Sequence, residues 1–248
     1  MSLPAAAFDD HALLALWEQA LPMPGAAREA LLAAACGDGG GTSVGTQRRR
    51  LLAALRPWLG ERASLQGRCP ACGEAVGFEL ALAPLLQALD GGAAAGEQQL
   101  EVGDWWLRFR LPTLQDIAEL DADGEDPDDI EAFARGLLQR CVLAAEQAGM
   151  PRAADALPAT VIDALSQRME ALDPAATLAF ALACPSCGHA WSAAFDPARA
   201  LWACLQTAAE RTLLEVDALA GRYGWSEPQV LALSPARRRA YLQLAGFT

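Results

Sequence analysis

Two short units carry the clearest chemistry in the chain: Cys69-Pro70-Ala71-Cys72-Gly73 and Cys184-Pro185-Ser186-Cys187-Gly188. A C-x-x-C turn places two thiolates on one side of a tight loop, close enough to share one metal ion. The glycine after the second cysteine allows the positive φ that lets backbone amides point at the sulfurs. Two such loops supply four thiolates, the tetrahedral soft donor set of closed structural zinc. The predicted metal ligands are therefore Cys69, Cys72, Cys184 and Cys187, around one structural Zn2+. The other readings are two separate redox pairs, two independent sites, or no metal. The redox reading is the weaker because neither C-x-x-C opens a helix after a strand, as a thioredoxin-like site requires. A catalytic zinc keeps an open position, whereas four cysteines fill the shell. His189 follows the second loop directly and could replace a cysteine, hydrogen-bond a sulfur, or face solvent. The chain holds seven cysteines, an odd number, and no export signal is evident, which argues against a disulfide framework.

The elements that must position these cysteines follow from their flanks. Apolar residues in Val76-Gly77-Phe78-Glu79-Leu80, Leu178-Ala179-Phe180-Ala181-Leu182 and Ala190-Trp191 put each loop at the tip of a short hairpin. Two such hairpins clamped by one ion resemble zinc-ribbon modules, over residues 62–83 and 176–196. The spacing departs from that pattern: 111 residues separate Cys72 from Cys184. Loop-closure entropy grows slowly with length, so a long insertion does not forbid the pairing. The expected fold is mainly α with a small β ribbon, α+β in class. Its expected segments are a helical 1–60, a first hairpin 61–83, an inserted α/β segment 84–175, a second hairpin 176–196 and a helical 197–248.

Hydrophobic periodicity predicts the helices. They cover 9–20 behind an Asp9 or Asp10 cap, 25–36, 47–59 with a break near Pro57, 83–89, 129–148, 157–172 and a long 197–223. Two short helices then open at Ser226 and Ser234. Alternation at 100–102 and 105–111 predicts strands, with Arg108 and Arg110 on one face and Leu107, Phe109 and Leu111 on the other. Thr113 and Asp116 form a variant capping box. Residues 37–46 read as a linker and 121–129 as a solvated acidic loop, since neither the P-loop lysine nor the calcium-loop glutamate is present. Arg48-Arg49-Arg50 reads as a solvated first turn of a helix or as a contact for an acidic partner.

Composition excludes several classes. At 53% hydrophobic residues the chain is not intrinsically disordered. No uncharged apolar run reaches the length of a membrane span. The N-terminus has no basic region ahead of its apolar residues, so it is not a secretory signal. A cytoplasmic protein is expected, unless another machine exports it. Nineteen arginines stand against 31 acidic residues, a net charge of −12, which sets nucleic-acid binding at a disadvantage. No Ser/His/Asp set, nucleotide loop, HExxH or persuasively spaced carboxylate pair is present, and the chain has two histidines, His11 and His189. A non-enzyme without a small-molecule substrate is expected.

Residues 213–244, LLEVDALAGRYGWSEPQVLALSPARRRAYLQL, resemble the tail-assembly proteins of contractile phages and related injection machines. The group is similar to T-even-type baseplate hub assembly chaperones and baseplate proteins. Matching positions are Leu213, Leu214, Glu215, Val216, Leu219, Ala220, Tyr223, Trp225, Ser226, Glu227, Leu231, Leu233, Arg237, Arg238, Tyr241 and Leu242. Phe109-Arg110-Leu111-Pro112-Thr113 with Asp116 resembles a second element of the same group. The resemblance implies a structural or chaperone-like role in baseplate assembly, with tail or baseplate subunits as partners. In their own right, Tyr223, Trp225, Arg237, Arg238 and Tyr241 suit a protein interface, where aromatics and arginine carry binding energy. They equally suit local packing in which the rings staple small helices together, and the two roles are compatible. A zinc-ribbon adaptor in transcription or RNA handling is the alternative. It would want a basic face around the hairpins, where Arg62 and Arg68 are opposed by Glu74, Glu79 and Asp196.

Overall fold

A computed structural model describes residues 9–37, 41–90, 96–122 and 130–247. Most of the 37–46 linker falls inside that set. Residues 38–40 of it, residues 91–95 and residues 123–129 of the acidic segment lie outside. The class is α+β. Two compact units are present: one combines the chain up to Met23 with Arg199 onward, and the other is Pro24–Ala198. The first helix thus groups with the C-terminal helices rather than with the rest of residues 1–60.

In the first unit, α1 (Asp10–Ala20) is capped by the Asp9 carboxylate, which accepts the Ala12 amide at 2.7 Å. It accompanies α9 (Pro197–Tyr223), α10 (Glu227–Leu231) and α11 (Pro235–Leu244). Ser226 and Gln229 cap α10 reciprocally, and Ser234 caps α11. The buried positions Leu201, Leu205, Ala209, Thr212, Val216 and Leu219 recur in steps of three and four along α9, as an amphipathic helix requires.

In the second unit the helices are α2 (Gly25–Ala35), α3 (Val44–Ala54), α4 (Arg56–Leu59), α5 (Leu82–Ala88), α6 (Leu114–Ala122), α7 (Ile130–Cys141) and α8 (Ala159–Leu172). Its largest sheet runs β3 (Gln98–Val102), β4 (Trp105–Phe109), β5 (Val142–Gln147), β6 (Met150–Arg152), all antiparallel. Leu107, Phe109 and Leu111 point into a core with Cys141, Ala145, Val161 and Leu165, as the alternation predicts. Arg110 turns the other way and forms a bidentate pair with Asp116 at 2.6 and 2.7 Å, while the Thr113 amide donates to the same carboxylate at 2.8 Å. The capping box of α6 is therefore also the anchor of the strand before it.

Two expectations are corrected. The helix predicted over 129–148 stops at Cys141, and residues 142–147 form β5. Ala, Glu and Gln in that stretch favour helix, but pairing with β4 across Leu107↔Ala145 overrides propensity. The strand turns at Ala148 (φ +48) and Gly149 (φ +78), and the Ala148 amide donates to the Asp104 carbonyl at 2.8 Å. The linker predicted over 37–46 already contains the start of α3, capped by Ser43.

Candidate metal centre

The first hairpin pairs β1 (Arg62–Arg68) with β2 (Ala75–Ala81), and the second pairs β7 (Ala179–Ala183) with β8 (Ala190–Ala194). The strand partners closing the tips are Arg68↔Ala75 and Ala183↔Ala190. Each tip is a six-residue loop with the same internal bonding. The Cys69 amide donates to the Glu74 carbonyl and the Cys184 amide to the His189 carbonyl, both at 2.9 Å. The Gly73 and Gly188 amides donate back to the Cys69 and Cys184 carbonyls, again at 2.9 Å. That closure needs left-handed backbone at the glycine, and φ is +77° at Gly73 and +74° at Gly188. The backbone requirement inferred from the motif is present in both loops.

The four sulfurs of Cys69, Cys72, Cys184 and Cys187 all lie within 4.8 Å of one another. Cys69 Sγ is 3.6 Å from Cys187 Sγ, and Cys72 Sγ is 3.6 Å from Cys184 Sγ. Both close pairs cross from one hairpin to the other. Sulfurs tetrahedrally arranged at the usual zinc–sulfur distance sit about 3.8 Å apart, so the donor set has the right size for a single ion. Cys69 and Cys184 are buried beside Val76 and Trp191, while Cys72 and Cys187 are exposed.

The protonation pattern also fits a cation. Backbone amides of Cys187 and Ser186 hold the Cys184 thiol down to about 7 against its burial. The Glu74 amide likewise pulls on Cys72, but hydrogen bonds shared with the thiols of Cys187 and Cys184 outweigh it and push Cys72 up to about 12. The His189 amide and the Cys72 thiol pull Cys187 down, but burial and hydrogen bonds shared with the Cys69 and Cys184 thiols raise it overall. One thiolate forms readily, and further negative charge in the cluster is resisted until a cation balances it. His189 is not among the clustered donors. Its ring stacks on Trp191 with centroids 6.4 Å apart, and its backbone serves the loop.

The hairpins meet through their stems. A Cβ on Gly67 would lie 3.2 Å from Leu182 Cδ1, so the glycine lets the second hairpin approach the first strand closely. Phe78 contacts Phe180 across the hairpins at 5.8 Å between centroids, and Phe180 contacts Phe195 at 6.0 Å. Helix α3, ahead of the first hairpin, clasps the far end of the long insertion. Buried Asp173 accepts the Gly45 amide at 2.9 Å, at the start of α3. Arg48 donates to the Ala176 carbonyl at 2.6 Å and pairs with Glu29 at 2.9 Å. Arg49 pairs with Asp90. Arg48 and Arg49 are thus engaged within the chain. These positioning residues escaped the sequence reading because Gly45 and Asp173 stand 128 positions apart. Ser43 at the helix cap was the available local signal.

The other predicted site residues belong to the first unit, apart from the metal centre. Tyr223 stacks on Trp225 at 4.8 Å, and Tyr241 meets both rings edge-on at 5.6 and 4.9 Å. Arg237 is exposed. Arg238 is 5% exposed and pairs with Asp10 at 2.6 Å and Glu215 at 2.7 Å. It locks α11 to α1 and α9, so of the arginines expected at an interface only Arg237 presents its side chain to solvent.

In an open pocket lined by Ser43, Thr46, Arg110 and Thr113, the Arg110 guanidinium and the Thr113 hydroxyl both donate to Asp116, each at 2.7 Å. No helix among the described residues is long and apolar enough to cross a membrane. No protein-family model, curated protein or solved structure matches the chain.

Proposed function

We propose that the four cysteines hold one structural zinc ion, making the paired hairpins a zinc ribbon split by a long insertion, and that the protein is a non-enzymatic assembly component of a contractile tail or injection-machine baseplate. The convergence of four sulfurs from two remote loops carries the metal reading. A closed four-thiolate shell leaves no open position for substrate. Zinc binding then contributes folding energy, on the order of 10 kcal/mol, to two small hairpins with little core of their own. The assembly role rests on the C-terminal resemblance and on the ring cluster of Tyr223, Trp225 and Tyr241 beside exposed Arg237.

Co-expression with the tube, sheath and baseplate subunits of a contractile machine tests that role. The zinc-loaded protein is expected to co-purify with a baseplate subunit. Trp225→Ala with Arg237→Ala should weaken that association more than it lowers the melting temperature. Loss of stability with association intact would assign these side chains to internal packing.

A further inference from the structure

The cysteine cluster pairs each exposed sulfur with a buried one from the other hairpin: exposed Cys187 with buried Cys69, and exposed Cys72 with buried Cys184, both 3.6 Å apart. We propose that the cluster is an oxidation-operated staple, in which peroxide converts four zinc-bound thiolates into the disulfides Cys69–Cys187 and Cys72–Cys184 and releases Zn2+ while the hairpins stay covalently joined. The inference rests on the zinc reading above.

The chemistry balances within each pair. An exposed thiolate attacks one peroxide oxygen, the O–O bond breaks, and a sulfenic acid and one water form with uptake of a proton. The buried thiolate attacks that sulfenic sulfur, the S–S bond forms, and the hydroxyl leaves as a second water with another proton. Two thiolates lose two electrons to one peroxide. Two peroxides and four protons therefore account for both disulfides, four waters and one free zinc ion. The sulfurs need to close by about 1.5 Å to reach a disulfide bond length. The exposed member of each pair is the one peroxide reaches, and the buried member is already positioned to resolve it. The remaining cysteines are poor competitors. Burial raises the thiols of Cys36 and Cys204, and burial with Asp116 nearby pushes Cys141 up to about 12, which keeps them protonated and slow to react.

The test uses the full zinc-loaded chain and two equivalents of hydrogen peroxide. Zinc release is followed with a chromogenic chelator and free thiols by titration. Trypsin cutting after Arg68, Arg108, Arg168 and Arg199 leaves Cys69 and Cys72 on one peptide, 69–108, and Cys184 and Cys187 on another, 169–199. The expected result is about one zinc released per chain, thiols falling from seven to three, and the two peptides running as one species that separates on reduction. Zinc loss with the peptides left separate, by disulfides within each loop or by over-oxidation, overturns this inference alone. Zinc retained with all thiols intact overturns it as well. A chain that purifies without zinc overturns the zinc reading and the release step together.

Discussion

Replacing Gly45 by alanine separates the clasp from ordinary helix propensity, because the two predict opposite signs. Gly45 lies in the first turn of α3 with a helical backbone, where alanine would by propensity stabilise by up to about 1 kcal/mol. A Cβ there would lie 2.0 Å from Asp173 Oδ1 and 2.6 Å from the Ala176 amide nitrogen. The second contact is backbone and cannot swing aside. Asp173 must withdraw, which removes the charged acceptor from a buried amide, a loss of about 1.5–3 kcal/mol, and overpacking adds about 1–3 kcal/mol. Net destabilisation of about 1.5–5 kcal/mol remains after the propensity gain. At about 2–4 °C per kcal/mol for a unit of this size, the melting temperature should fall by roughly 3–20 °C. Circular dichroism melts of the zinc-loaded protein measure this. In a double-mutant cycle with Asp173→Ala, the cost of Gly45→Ala should shrink by about 1 kcal/mol or more without vanishing, since the Ala176 contact persists. A Gly45→Ala variant as stable as the parent, or more so, would refute the clasp.

Cys72→Ser and Cys187→Ser should weaken metal binding by similar factors, because the two occupy equivalent positions in identically bonded loops; competition titration against a chelator reads this, and an effect from only one would deny a shared ion. Zinc affinity should fall with acid, since protons compete for the thiolates. The slope of log affinity against pH should steepen by about one proton as pH drops through about 7, where Cys184 of the free site takes up its proton; a slope unchanged across that window would contradict its lowered value. Arg238→Ala should cost about 3 kcal/mol by leaving Asp10 and Glu215 without their buried partner, whereas Arg237→Ala, on the exposed face, should change the melting temperature little.

What the sequence disclosed is local chemistry. The glycine after each second cysteine announced the left-handed turn that closes the loop, the apolar flanks announced the strands, and three- and four-residue spacing announced α9 over its observed span. The cysteines could be paired across 111 residues because they carry matching motifs. Features held by long-range contacts had no such label. Residues 142–147 are helix-forming by composition and become a strand only because β4 offers them an edge. Gly45 resembles any linker glycine until Asp173 is placed against it. Arg238, one of three consecutive arginines, is selected for burial by Asp10 and Glu215, which lie far from it in sequence.

The central claim is that one ion ties both hairpins together through four sulfurs, and metal analysis of the full chain purified without added chelator tests it most directly. Elemental mass spectrometry should find about one zinc per chain, and cobalt exchanged into the same protein should show the intense thiolate charge-transfer absorption of a tetrahedral four-sulfur site. A fully folded chain free of metal, or a cobalt spectrum lacking that absorption, would contradict it.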